Sequence, residues 1–246
     1  MKLCDYSLSD AKKIIAENPQ VICCVSAPEI IQNLPLNINE FITQKIAESV
    51  SQKTGIYETS PILQGIITQF KPLPVIGTHH RRFSSLISDC VRSLCYSGVK
   101  KIFFITSSPI FTQALKDGIK NYQQMLPKDF SYEIICWQND KCFHEFRVSK
   151  HFENLTEYFR SEAAIYLLAN ELKNIEIPKN LPELPFSNDE FQKWSRRGMD
   201  PEKLKKLSPE YRFSSWTNYT PPSKEFSFFS SIADLIASEI IIKRLI

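Results

Sequence analysis

Short apolar runs alternate along this chain with longer segments in which apolar residues return every three or four positions. The run VICCV at 21–25 is apolar throughout, as expected of a strand buried on both faces. Further strands are predicted at 56–63, at 101–105 (KIFFI) and at 132–137. The segments between them carry helical spacing. Ser9 is placed to cap a first helix that runs through Asn18, with Ala11, Ile14 and Ile15 on its buried side and Pro19 ending it. A second helix is expected over about 39–53, built on Phe41, Ile42, Ile46 and Val50 and closed by Gly55. Phe83, Leu86, Ile87, Cys90, Val91 and Leu94 mark a third, stopped by Gly98. Others follow over roughly 110–126, 153–173 and 223–245.

Strands alternating with helices imply a mostly parallel sheet with helices on both faces, a three-layer αβα sandwich. No internal repeat and no second domain stand out, so residues 1–246 read as one domain. Within it, 69–78 (ending KPLPVIGT) is too rich in proline for a ladder and reads as an ordered loop. A Pro-rich connection at 177–185 and a charged, weakly periodic stretch at 188–211 make about 177–222 an irregular excursion before the last helix.

The stretch after the first strand holds the candidate chemistry. Pro28 breaks the apolar run, Leu34-Pro35-Leu36 forms an irregular loop, and Asn39 stands where a helix N-cap belongs. Strand, loop and capped helix in this order mark the carboxyl edge of an open α/β sheet, where ligands bind.

Composition narrows the classes. A hydrophobic content of 43% with 23% charged residues is ordinary for a globular chain. The net charge of +3, without a Lys/Arg block, gives no footprint for nucleic acid. No apolar run reaches a membrane span, and the opening MKLCD lacks the pattern of a signal peptide. Seven cysteines, an odd number without metal-type spacing, fit a reducing cytoplasm. Cys23 and Cys24 read as small apolar strand residues. Six glycines stand where average usage predicts roughly 17, which disfavours a backbone cradle for metal or phosphate.

The loop after the first strand resembles the creatininase (creatinine amidohydrolase) family, whose first motif runs Gly-Ser-x-Glu-x-His-Gly-x-His-Leu-Pro-Leu-x-x-Asp. With Leu34-Pro35-Leu36 on Leu-Pro-Leu, Ser26 falls on the family serine and Asn33 on the second histidine. Asn39 falls on the metal-bridging aspartate, Pro28 on the glutamate and Ile30 on the first histidine. A one-residue deletion puts Glu29 on that glutamate instead, but no histidine precedes His79. The family's Phe-Pro-Gly-Thr matches Val75-Ile76-Gly77-Thr78, where Gly-Thr survives. Its Asn-Gly-His-Gly-Gly-Asn matches Thr106-Ser107-Ser108-Pro109-Ile110-Phe111, with Ser108 at the metal-binding histidine. Its His-Ala-Gly-Glu-x-Glu-Thr-Ser resembles 157–164, where Arg160 replaces the ligand glutamate and Glu162 keeps the second one. Its Gly-Asp-Pro turn before the final helix corresponds to 213–223, FSSWTNYTPPS, which lacks the Gly-Asp.

The resemblance spans nearly the whole chain and implies the creatininase fold and ring-like oligomers built from dimers. It also implies a cleft lined by Glu29, Asn33, Asn39, Thr78, His79, His80, Ser107, Ser108, Arg160 and Glu162. It does not carry over the metal centre. A hydrolytic pair of dications needs several histidine and carboxylate ligands. Proline, isoleucine, asparagine, serine and arginine stand at most of those positions.

Other clusters have simpler explanations. His79-His80-Arg81-Arg82 is able to bind an anion, but also reads as the solvated start of a helix with Phe83 its first buried residue. His144 and His151 are too far apart for a helical pair and fit no zinc signature. Ser107-Ser108-Pro109 after a strand is compatible with a nucleophile or an anion site. It lacks the Gly-x-Ser-x-Gly elbow, and N-capping explains it more simply. Cys95 and Cys142 have no motif support as nucleophiles. The aromatics Trp194, Tyr211, Phe213, Trp216, Tyr219, Phe226, Phe228 and Phe229 suit core packing or an oligomer contact.

The resulting expectation is a pseudoenzyme of creatininase-like fold, without metal or other cofactor, acting as a binding, scaffold or regulatory subunit. Its expected partners are copies of itself or an active homologue, with a small anion as possible ligand, and its expected location is the cytoplasm. Nucleic acid and membrane are not expected partners. Two alternatives stay open. One is a Zn- or Mn-dependent amidohydrolase cleaving a C–N bond of a small cyclic amide or formamide; the other is a metal-free small-molecule sensor.

Overall fold

A computed structural model describes residues 1–27, 37–66, 77–139, 168, 172 and 228–244. The first helix, α1 (Leu8–Glu17), starts two residues earlier than the sequence pattern predicts, because Ser7 rather than Ser9 is its cap. The Ser7 hydroxyl accepts the Asp10 N–H at 3.3 Å, and Ser9 bonds sideways to Ser7 instead. Strand β1 (Gln20–Val25) follows, buried from Val21 onward.

Helix α2 (Ile38–Thr54) has Asn37 at its N-cap position, so Asn39 is its second helical residue and is buried rather than capping. The ladder predicted over 56–63 is short. Only β2 (Tyr57–Glu58) is a regular strand, with one further bridge between Val25 and Ile62. Pro61 has no N–H to contribute to a ladder, yet the chain still tracks β1. Thr59 and Ile62 N–H donate to the Ile22 and Cys24 carbonyls, both at 2.9 Å.

Next come β3 (Gly65–Ile66) and β4 (Gly77–Thr78), a small parallel pair separate from the main sheet, where the sequence pattern predicts only loop. Helix α3 (His80–Tyr96) ends before Gly98, whose φ of +96° is a left-handed conformation that glycine adopts without Cβ strain. Strand β5 (Lys101–Thr106) leads into α4 (Pro109–Tyr122). The predicted helix to 126 instead tightens into a 3-10 turn at Gln123–Met125, and Leu126 is extended, as the residue before Pro127 prefers. Strand β6 (Ser131–Cys136) and a 3-10 turn at Trp137–Asn139 complete this part.

The last described helix is α5 (Phe228–Arg244). Leu168 and Leu172 are helical, and Leu168 is buried. The rest of the helix expected over 153–173, and all of 177–222, lie outside the described residues.

The main sheet has the order β2-β1-β5-β6 and is parallel throughout. Val21, Cys23, Val25, Ile102 and Phe104 point to one face. There they join Ile15 of α1, Phe83, Ile87 and Val91 of α3, and Phe111, Ala114 and Leu115 of α4 in one apolar cluster. Ile22, Cys24, Phe103 and Ile105 alternate to the opposite face and are equally buried. Helices α2 and α5 pack together and bury Ile42, Ile46, Val50, Ile232, Ile236 and Ile240. Lys101 and Lys243 tie β5 and β6 to α5: the Lys101 ammonium donates to the Lys243 carbonyl at 2.7 Å, and Lys243 bonds Glu133 at 2.8 Å. Sheet and helices thus form the three layers that the alternating pattern predicts.

On the α3–α4 side the two helices touch backbone to side chain. A Cβ on Gly118 would stand 2.6 Å from the Ser84 carbonyl and 2.8 Å from Ile87 Cβ. Ser84 and Ser88 donate to the Ala114 and Gly118 carbonyls at 3.2 and 2.6 Å.

Candidate functional site

Because β1, β5 and β6 are parallel and in register, their carboxyl ends lie side by side. The residue after each strand therefore lands in one row: Ser26, Ser107 and Trp137. All three are buried. The Ser26 and Ser107 hydroxyls meet at 3.2 Å across the β1–β5 gap. Trp137 turns its indole N–H onto the Thr43 hydroxyl of α2 at 2.9 Å, and Thr43 donates on to the Asn39 carbonyl at 2.6 Å. Asn39 and Thr43 sit on the buried face of the first turns of α2, directly over this edge. The result is two buried sets of neutral polar groups at this edge, Ser26 with Ser107 and Trp137 with Thr43 and the Asn39 carbonyl.

Ser108 occupies the N-cap position of α4, as predicted for the Ser107-Ser108-Pro109 segment, but its side chain makes no capping bond; its carbonyl takes the Phe111 and Thr112 N–H groups instead. Thr106, the last residue of β5, is buried, and its hydroxyl finds no partner among the described residues.

The other sequence candidates stand elsewhere. Thr78 lies in the β3–β4 pair and is half-buried. His79 and His80 open α3 and are exposed with Arg81 and Arg82, while Phe83 is the first buried residue. His80 Nε2 lies 2.8 Å from Asp117 of α4 on the solvent side. That contact, with a second from Gln113, holds the Asp117 carboxyl below its ordinary range. His80 therefore braces α3 against α4 and does not join the serine row. Glu29, Asn33, Arg160 and Glu162 lie outside the described residues, as do Cys142, His144 and His151.

Three of the described thiols are held in their protonated form. Burial pushes the Cys23 thiol up to about 12 and the Cys24 thiol well above its ordinary value. Cys95 is half-buried, and its thiol is raised by desolvation. The buried carboxylate Glu58 is on β2, beside Ile22 rather than at the strand ends, and its pKa is raised by burial despite the Met1 ammonium at 3.5 Å. Among the described residues no three His, Cys, Asp or Glu side chains stand close enough to hold a metal ion. Among the same residues no helix is long and apolar enough to cross a membrane.

Sequence reasoning missed the contacts Ser26–Ser107 and Trp137–Thr43. The signal for the first was present: a serine follows directly on each of two strand runs, VICCV-Ser26 and KIFFIT-Ser107. Aligning those runs as parallel neighbours places the hydroxyls together.

No protein-family model and no curated protein sequence matches the chain. Solved structures do. A manganese creatininase superposes with a TM-score of 0.74 at 11% identity, covering 99% of each chain. A crystal structure of creatinine amidohydrolase (creatininase) gives 0.71 at 13% identity over 96% of this chain and 95% of its own. A creatininase variant complexed with creatine gives 0.73 at 11% identity over 99% of each. The chain has the creatininase fold over nearly its full length.

Proposed function

We propose that this creatininase-fold chain has given up the two-metal hydrolytic centre and works as a binding, scaffold or regulatory subunit. The single observation that carries this reading is the neutral character of the matched strand-end positions, where buried Asn39 stands for the metal-bridging aspartate and Ser108 for the metal-binding histidine, next to the buried Ser26–Ser107 hydroxyl pair. Two divalent ions need several anionic oxygens and imidazoles around them. The matched positions within the described residues offer a buried asparagine, Asn39, and a serine, Ser108. Neutral amide and hydroxyl groups neither neutralise a pair of dications nor lower the pKa of a bound water enough for attack. The residues present do not fit the metals, so no hydrolytic step is assigned to them.

The partner class that follows is a second copy of the chain or an active creatininase-fold homologue, joined through the aromatic-rich region around 194–229. The cytoplasm is its proposed location, in keeping with the free thiols of Cys23, Cys24, Cys90, Cys95 and Cys136.

Metal analysis of protein purified without chelator tests the central point. The expected result is well under one equivalent of zinc, manganese or iron. Stoichiometric metal, lost on chelation together with hydrolysis of a cyclic amide, would overturn the reading.

A further inference from the structure

The amino end of α4 lacks a side-chain cap. The helix is 14 residues long, and Ser108 holds the N-cap position in an extended conformation (φ −129°, ψ 141°) without a side-chain capping bond. Pro109 contributes no N–H at the first helical position. The Phe111 and Thr112 N–H groups already donate to the Ser108 carbonyl, so it is the aligned peptide dipoles that make this end locally positive.

A second observation is independent of the helix. Thr106 is fully buried, and its hydroxyl has no partner among the described residues. Strand alternation aims it. Thr106 points to the same face of β5 as Ile102 and Phe104, which pack against Phe111, Ala114 and Leu115 of α4. Thr106 also stands two residues before the N-cap, so it is on the α4 side of the sheet close to where that helix starts. Thr112, in the same turn, also has a buried hydroxyl without a partner there, although the Ser108 carbonyl four residues back is the usual acceptor for a helical threonine. Beyond the end of the neighbouring strand β6, the Gln138 side-chain amide nitrogen is in the same condition. Folded proteins leave few buried polar groups unmatched. Here three belong to residues that chain position and the β5–β6 register place about the start of α4 and the carboxyl ends of two adjacent strands.

We propose that this end of α4, with Thr106, Thr112 and Gln138, binds a small oxyanion, a carboxylate or phosphate group. The hydroxyls and the amide nitrogen donate, and the helix end favours the negative partner. This inference rests on the reading that no metal cation occupies the edge, because an anion here takes the side of the charge balance opposite to a ligand set for dications.

Thermal unfolding of the full chain tests it, with inorganic phosphate or acetate titrated at constant ionic strength against chloride. The parent protein should show a saturable rise in melting temperature. Thr106→Val, which keeps the side-chain shape, should melt at or above the parent without anion and lose at least half of the rise. Thr112→Val repeats the test if the first variant does not fold. Absence of a saturable rise in the parent would overturn the inference. So would a rise that both valine variants keep in full, and so would variants that melt lower in a protein with no anion response, the mark of hydroxyls bound to internal water. Metal content is measured on the same preparations. Stoichiometric metal counts against the proposed function and this inference together, whereas no metal and no anion response defeats this inference alone.

Discussion

Trp137 and Thr43 are 94 residues apart in sequence, and the indole N–H of one reaches the hydroxyl of the other at 2.9 Å with both residues fully buried. The bond fastens the end of β6 to the first turns of α2, and Thr43 relays it to the Asn39 carbonyl at 2.6 Å. Thr43→Val keeps the volume but removes the hydroxyl that accepts the buried indole N–H. The variant should lose about 1–3 kcal/mol in urea unfolding, whereas Thr43→Ser should retain most of the parent stability. A valine variant as stable as the parent would show that the bond contributes nothing.

The Ser26–Ser107 pair yields a double-mutant cycle. Either alanine substitution strands the partner hydroxyl in a buried site, while the double substitution leaves neither behind. Each single change should cost about 1 kcal/mol, and the double variant should cost less than their sum. Additive losses would mean that the two hydroxyls do not support each other.

Gly118 sets the spacing of α3 and α4. Gly118→Ala would drive a methyl to within 2.6 Å of the Ser84 carbonyl, which belongs to helix backbone and cannot swing away. Although alanine is the better helix former, the overpacked variant should be destabilised by about 1–3 kcal/mol. Denaturant midpoints measured at unchanged slope would check this; a stabilised variant would show that the helices separate freely.

Glu58 introduces a pH dependence of known sign. Burial is the main cause that raises its pKa above the ordinary 4.5, and the Met1 ammonium offsets part of that rise. The folded state therefore holds this proton more tightly than the unfolded chain. The protonated form's contribution is fully present below the unfolded value and is lost as pH rises through the folded one. Glu58→Gln should remove this fall from the stability profile that begins just above pH 4.5. Identical slopes for parent and variant across that interval, followed by urea midpoints, would refute the assignment.

What the sequence determined by itself is the local grammar. Apolar runs at 21–25 and 101–105 and the periodic segments between them are strands and helices because period and burial are written in neighbouring residues. That no histidine precedes His79 is equally plain before any folding. Tertiary structure decided the rest. Nothing within 56–63 announces that Pro61 leaves only two residues of regular ladder, since that depends on which N–H groups face β1. The pattern marks Ser9 as the cap of α1, and the turn geometry selects Ser7 instead. Above all, hydrophobic period says which face of a strand is buried but not which strand lies beside it. The order β2-β1-β5-β6 is what carries Ser26 to Ser107 across 81 residues, and α2 crossing the sheet is what brings Thr43 to Trp137. Those neighbours are chosen by packing between distant segments, which no local pattern encodes.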